Sequence, residues 1–420
     1  MYQLQTLPNG VRIVSETNPN VRSVSLGVWV GNGTRHEPTD MNGASHFIEH
    51  MLFKGTDSMD AAALADTMDT LGGEINAFTT KECTCFYGRV LDEKLHAFVD
   101  LLADMLFRSR FDEVCVETER GVIYEEIGMC DDTPDDLAIE QLTLGAFRGT
   151  ALGYPILGTR DTLASMTGSG LRDYMQTHYT GDAVVISIAG HFSPDDLAYI
   201  GQTFGHFPAG ARSQSPAASY HVTSSCIEKP TEQNHIVLGF RAESYLSEHR
   251  YAIQILNNIL GGNMSSRLFQ RVREQLGLCY SIHSFLATHS DCGLLAIYIG
   301  TGSNSEQQAL TEIGRTLAEV VSDGVTADEM TKVCDSIRSG LLMALESTSS
   351  RMNHMGKSLL LQNGILTPDE IAARYLAVQR DEVIELARVI LNPEQLSLSA
   401  VTRKGQAETY QRWVSDAMHP

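Results

Sequence analysis

Positive charge is scarce in this 420-residue chain: Lys and Arg number 31 against 52 Asp and Glu, a formal net charge of −21. A surface that acidic repels phosphate backbones, which argues against nucleic acid and anionic membrane as partners. No window approaches the roughly 18 consecutive apolar residues of a spanning helix. The opening residues MYQLQTLPNGVRIVSE have no basic n-region and no apolar h-region, and are not rich in Arg and Ser. Neither a signal peptide nor a transit peptide is expected from them. The eight cysteines are scattered, and only Cys83 and Cys85 lie close together, with no second pair to complete a zinc site. They are expected to pack as reduced thiols on one face of a strand, in a cytoplasmic protein. Gly261-Gly262 is not followed by the Lys-Ser/Thr of a phosphate loop and reads as a helix terminator.

What is present is a globular composition, 43% apolar and 20% charged, long enough for two large domains. Periodicity predicts strands at 11–15, 23–30, 74–79, 83–90 and 183–189, and helices at 44–53, 60–71, 92–108, 112–128, 135–147 and 168–178. The stretch 208–219, rich in Pro, Gly, Ala and Ser, breaks the pattern and is the linker candidate. The second half echoes the first. VSLGVWV (24–30) matches IVLGFRA (236–242), with Gly27 and Gly239 212 apart, and Ser187 and Ser399 in two further matching strands share that offset. The expected fold is therefore α+β: two similar duplicated domains, 1–213 and 214–420, each a mostly antiparallel sheet with helices packed on one face.

The segment GASHFIEHML (43–52) contains His46, Glu49 and His50, the pattern H-x-x-E-H. On a helix these positions share one face. Two imidazoles one turn apart can hold one zinc ion at about 2.0–2.1 Å each, and the carboxylate between them can act as general base. This order of residues is the inverted zinc-peptidase signature. With 14 histidines in the chain, a chance match is expected in only about three such chains per hundred. A third ligand is needed, and the run VETERGVIYEEIGM offers Glu117, Glu119, Glu125 and Glu126. Glu119 and Glu126 lie two helical turns apart on one face, so one can ligate while the other hydrogen-bonds a ligating histidine.

GTRHE (33–37) followed by GASHFIEHMLFKGT (43–56) resembles the pitrilysin and mitochondrial processing peptidase family of zinc metallopeptidases. The resemblance continues through LGGEINAFTTKECTCFY (71–87), ETERGVIYEEI (117–127), LGYPILGTRDTLASMT (152–167) and GGNMSSRLFQRVREQLGLCYS (261–281). It implies His46, His50 and Glu126 as ligands of one Zn2+ per chain, Glu49 as catalytic base and Glu119 as the supporting acid. It also implies that Asn76, Ala77, Phe78 and Thr79 bind substrate as an added strand, and that Arg273 and Tyr280 grip substrate backbone and oxyanion. In the resembling single-chain enzymes the residues matching Arg273 and Tyr280 lie in a second unit. A one-unit chain is then expected to work as a homodimer with sites completed in trans. Aligning the repeat with Leu260 on Leu52 places Gln254, Asn257 and Asn258 opposite His46, Glu49 and His50, so the C-terminal half is expected to lack metal ligands. The function implied is a zinc metalloendopeptidase cleaving peptides or unfolded segments. The alternative is a non-catalytic or partner-dependent structural subunit, the fate of family members that have lost motif residues.

Overall fold

The computed structural model describes residues 2–419, and the chain divides into two compact units. The first comprises Met1–Ile127, Tyr154–Pro216 and Leu342–Leu366; the second comprises Gly128–Gly153, Ala217–Leu341 and Thr367–Pro420. The main division at 216/217 lies three residues from the expected 213/214, but the segments 128–153 and 342–366 each fold with the opposite half.

In the first unit six strands, β1 (Gln3–Thr6), β2 (Arg12–Thr17), β3 (Ser23–Val30), β4 (Glu74–Thr79), β5 (Thr84–Leu91) and β6 (Val184–Gly190), form one sheet. Their order is β1-β2-β6-β3-β5-β4. Only β2 and β6 pair in parallel; the other neighbours are antiparallel. β1, QLQT, has all four residues exposed and no apolar alternation, which is why periodicity does not predict it. On one face, Val24, Leu26, Val28 and Val30 of β3 pack with Phe47, Ile48, Met51 and Leu52 of helix Ala44–Leu52. Phe98, Leu102 and Met105 of helix Leu95–Arg108 and Val116 and Ile123 of helix Glu113–Asp132 complete that core.

The other face of β3 is apolar as well. Trp29, with Val14, Cys83, Cys85 and Val185, is covered by Met352, Met355 and Leu359 of helix Thr348–Gln362. Cys83 and Cys85 are thus buried free thiols. A Cβ on Gly356 would meet Trp29 Nε1 at 2.2 Å, and one on Gly27 would meet Met352 Sδ at 2.6 Å, so two glycines let helix and sheet touch.

The second unit repeats the arrangement with β7 (Ser224–Glu228), β8 (Asn234–Ala242), β9 (Cys279–Thr288), β10 (Gly293–Thr301) and β11 (Ser397–Thr402), in the order β7-β11-β8-β10-β9. Here β7 and β11 are the parallel pair. Helix Pro134–Ala146 covers its second face through Leu137, Ala138 and Leu142. A Cβ on Gly239 would lie 2.9 Å from Leu142 Cδ2. The glycines that mark the sequence repeat, Gly27 and Gly239, are therefore the seats of the two exchanged helices. Each sheet has two apolar faces to bury, so helices on one face alone do not suffice. The stretch 208–219 has no regular structure, yet Arg212 donates to the carbonyls of Gly31 at 3.3 Å and Leu360 at 2.8 Å, fastening it to the first unit.

Candidate metal centre

Helix Ala44–Leu52 starts where it does because its first amides are capped by a carboxylate. Glu37 accepts from the backbone N–H of Gly43 and of Ser45, both at 2.7 Å, and from the Asn42 side chain at 3.1 Å. An acid at a helix N-terminus also meets the positive end of the helix dipole. Burial pushes the Glu37 carboxyl up, and these bonds oppose it. Gly43 has φ +98°, and a Cβ there would come within 2.9 Å of Gly158 Cα. The turn into the helix therefore requires glycine.

One face of the helix enters the core, which leaves His46, Glu49 and His50 half-buried on the other. The imidazole centroids of His46 and His50 are 4.6 Å apart. Opposite them runs helix Glu113–Asp132, fixed by Arg120. That buried guanidinium donates to the carbonyls of Leu163 and Met166 and holds Glu117 at 2.8 Å. Glu117 is thereby drawn off, and Glu125 is exposed, leaving Glu119 and Glu126 to face the histidines. Glu126 Oε2 lies 3.8 Å from His46 Nε2 and 3.6 Å from His50 Nε2. Glu119, buried, places Oε2 3.1 Å from His50 Nδ1.

The three potential ligand atoms of His46, His50 and Glu126 lie within 4.8 Å of one another, and this is the one such group of His, Cys, Asp or Glu among the described residues. Ligands at about 2.1 Å from a tetrahedral zinc are separated by about 3.4 Å, close to the two observed nitrogen–oxygen distances. Two imidazoles and one carboxylate are a donor set that suits zinc. Burial, helped by neighbouring His50, pushes His46 down to about 4, so at neutral pH it presents the neutral imidazole that a metal ligand requires. His46 Nδ1 is buried without a hydrogen-bond partner, whereas His50 Nδ1 is oriented by Glu119.

Glu49 is held by the sheet. Thr79 Oγ1, at the end of β4, donates to Glu49 Oε2 at 2.5 Å. Burial raises the Glu49 carboxyl, with the Thr79 bond opposing, so this carboxylate is more basic than one in water. β4 is the edge of its sheet and among the described residues pairs only with β5, leaving the outer backbone of Asn76, Ala77 and Phe78 without a strand partner there. Phe78 packs edge-on against Trp29 at 5.6 Å, anchoring the strand.

Arg273 and Tyr280 belong to the second unit. Arg273 sits in the π-helical stretch Phe269–Gln275, its guanidinium 4.6 Å from the Phe269 ring centroid and 5.3 Å from that of Tyr280. Tyr280 is 76% exposed. Helix Arg250–Leu260 of this unit carries Gln254, Asn257 and Asn258.

Three features of the site were not read from the sequence: the cap by Glu37, the Thr79–Glu49 bond, and Lys54, whose Nζ lies 2.9 Å from Glu119 Oε1. Only the spacing of Lys54, one turn beyond His50, could have drawn attention to it.

Comparison with known proteins places these features in context. Residues 12–160 match the family Insulinase (Peptidase family M16), and residues 165–337 match the Peptidase M16 inactive domain. An uncharacterized zinc protease of Bacillus subtilis is 45% identical over 406 residues, covering 96% of this chain and 99% of its own. One from Streptomyces coelicolor is 38% identical, covering 94% and 88% respectively. Among solved structures, a protease from Helicobacter pylori superimposes with a TM-score of 0.90 over 96% of this chain and 99% of its own, at 19% identity, a likeness of fold.

Proposed function

We propose that this chain, which belongs to the insulinase peptidase family M16, is a zinc-dependent endopeptidase acting on peptides or unfolded polypeptide segments. The observation that carries the reading is the His46, His50 and Glu126 donor set with Glu49 beside it, tied by Thr79 to an open sheet edge. Zinc held by those three residues would supply an acidified water and polarise the scissile carbonyl. Glu49 accepts the proton of the attacking water and returns it to the leaving amine, a role its raised carboxyl suits. Glu119 orients His50 through Nδ1. A peptide adds to β4 as a further strand along Asn76, Ala77, Phe78 and Thr79, a mode that reads backbone more than side chains.

Following the family resemblance, we assign Tyr280 as a donor to the developing oxyanion and Arg273 as a grip on the substrate backbone. We place both in trans, in a homodimer whose copies complete each other's site, with neither nucleic acid nor membrane as partner. No described helix is long and apolar enough to cross a membrane, and all eight cysteines are free. Free thiols support a reducing compartment, the cytoplasm.

The test is digestion of a peptide library by the purified chain, read by mass spectrometry, with chelator and after zinc is restored. Cleavage that stops with chelator and returns with zinc supports the reading. Absence of cleavage by a zinc-loaded protein would leave a structural or partner-dependent subunit.

A further inference from the structure

Lys54 is outside the ligand set, yet it reaches into it. Helix Ala44–Leu52 ends at Phe53, and Lys54 lies on the turn that follows, its N–H donating to the Met51 carbonyl at 3.0 Å. The side chain turns back to helix Glu113–Asp132, where Nζ sits 2.9 Å from Glu119 Oε1. The other oxygen of that carboxylate is 3.1 Å from His50 Nδ1. Glu119 is 3% exposed, and Lys54 is the only Lys or Arg paired with it among the described residues. Both oxygens of one buried carboxylate are therefore engaged, one by a cation and one by an imidazole.

We propose that Lys54 is a positioning residue for the metal centre, acting on His50 through Glu119. This deepens the zinc-peptidase reading and rests on it. A buried carboxylate is costly unless paired and hydrogen-bonded, and an ion pair bonded at both ends fixes its orientation. With Lys54 in place, Glu119 cannot rotate about its terminal bonds without giving up the ammonium contact, so Oε2 stays on His50 Nδ1. That bond sets the imidazole's tautomer and directs Nε2 toward Glu126. The pair also joins the end of the helix carrying the two histidines to the helix carrying Glu126, near the place where their side chains must meet. The one ion pair of Lys54 among the described residues is with Glu119, so its effect on His50 is proposed to pass through that carboxylate.

The experiment measures zinc affinity, independently of activity, by competition with a chromogenic chelator at constant pH. It uses the full-length wild type, Lys54→Met, Lys54→Gln, Lys54→Arg, Glu119→Gln and the double variant Lys54→Met/Glu119→Gln. Loss of a group that orients a metal ligand typically costs about 10–100-fold in affinity. We expect about a tenfold loss in Lys54→Met and Lys54→Gln, and recovery in Lys54→Arg. In the Glu119→Gln background, Lys54→Met should add nothing, because the path is already cut. Wild-type affinity in both neutral Lys54 variants overturns the proposal, as does an equal further loss in the double variant. In either case wild type still binds zinc and the peptidase reading stands. A wild type without affinity for zinc overturns both.

Discussion

Thr79 Oγ1 and Glu49 Oε2 are 2.5 Å apart, and this one hydrogen bond joins the edge strand proposed to receive substrate to the carboxylate proposed to activate water. On that proposal, the same segment would aim the base and align the peptide. A hydrogen bond to a charged group contributes about 1.5–3 kcal/mol. Thr79→Val should lower kcat by about tenfold or more and leave KM nearly unchanged, because the backbone of β4 is retained. Thr79→Ser should recover most of the rate. Steady-state kinetics on one fluorogenic peptide checks this, and equal kcat in Thr79→Val and wild type would refute it.

The exchanged helix gives a stability prediction. A Cβ on Gly356 would press on Trp29 Nε1 at 2.2 Å and Cδ1 at 2.6 Å, in a buried ring that has little room to move. Overpacking of this kind costs about 1–3 kcal/mol. Gly356→Ala should lower the first thermal transition seen by calorimetry, whereas alanine at Gly340, where a Cβ meets nothing within 4 Å, should not.

His36 is expected to make the fold acid-sensitive. Its Nδ1 accepts from the Gly33 N–H at 3.2 Å, and burial, with Arg212 nearby, holds the imidazole down at about 4 against an ordinary 6.5. Between those values the unfolded chain binds more protons than the folded one. The stability contributed by neutral His36 is whole above about 6.5 and is lost as the pH falls toward 4. His36→Asn keeps an acceptor without the titration. Its denaturation midpoint should fall less steeply than that of wild type between these pH values, and parallel curves would count against the assignment.

Complementation examines the trans arrangement. Glu49→Gln and Tyr280→Phe should each be inactive alone. When subunits exchange, half the dimers are mixed and each has one intact site of two, so activity should return to about a quarter of wild type. Confirmed heterodimers without activity would place Tyr280 in its own chain's site.

Much of the local structure was legible. Strands 23–30 and 74–79 and helix 168–178 stand at the residues that periodicity predicts; 23–30 and 168–178 each bury a continuous face or stripe within one unit, and 74–79 lays Ile75 and Ala77 against the same core. The H-x-x-E-H face was legible for the same reason, since helical spacing alone brings His46 and His50 together. Gly27 and Gly239 were visible as a repeat, but their purpose was not. Each accommodates a helix contributed by the other half of the sequence, Met352 on one sheet and Leu142 on the other. No local pattern announces a partner so distant in the sequence. Likewise spacing set Glu119 and Glu126 on one face, but spacing alone could not say which of the two ligates. The difference between them comes from Lys54, which pairs with Glu119 and not with Glu126.

We propose that Glu49 activates water at a zinc site built by His46, His50 and Glu126. Glu49→Gln tests it most directly, with zinc content and peptide hydrolysis measured on the same purified sample. Gln keeps the shape and can still bond to Thr79, but it cannot take a proton. The variant should hold one zinc per chain, as in wild type, and hydrolyse peptide more slowly by about 10²–10⁴. Near-normal turnover with zinc still bound would contradict it.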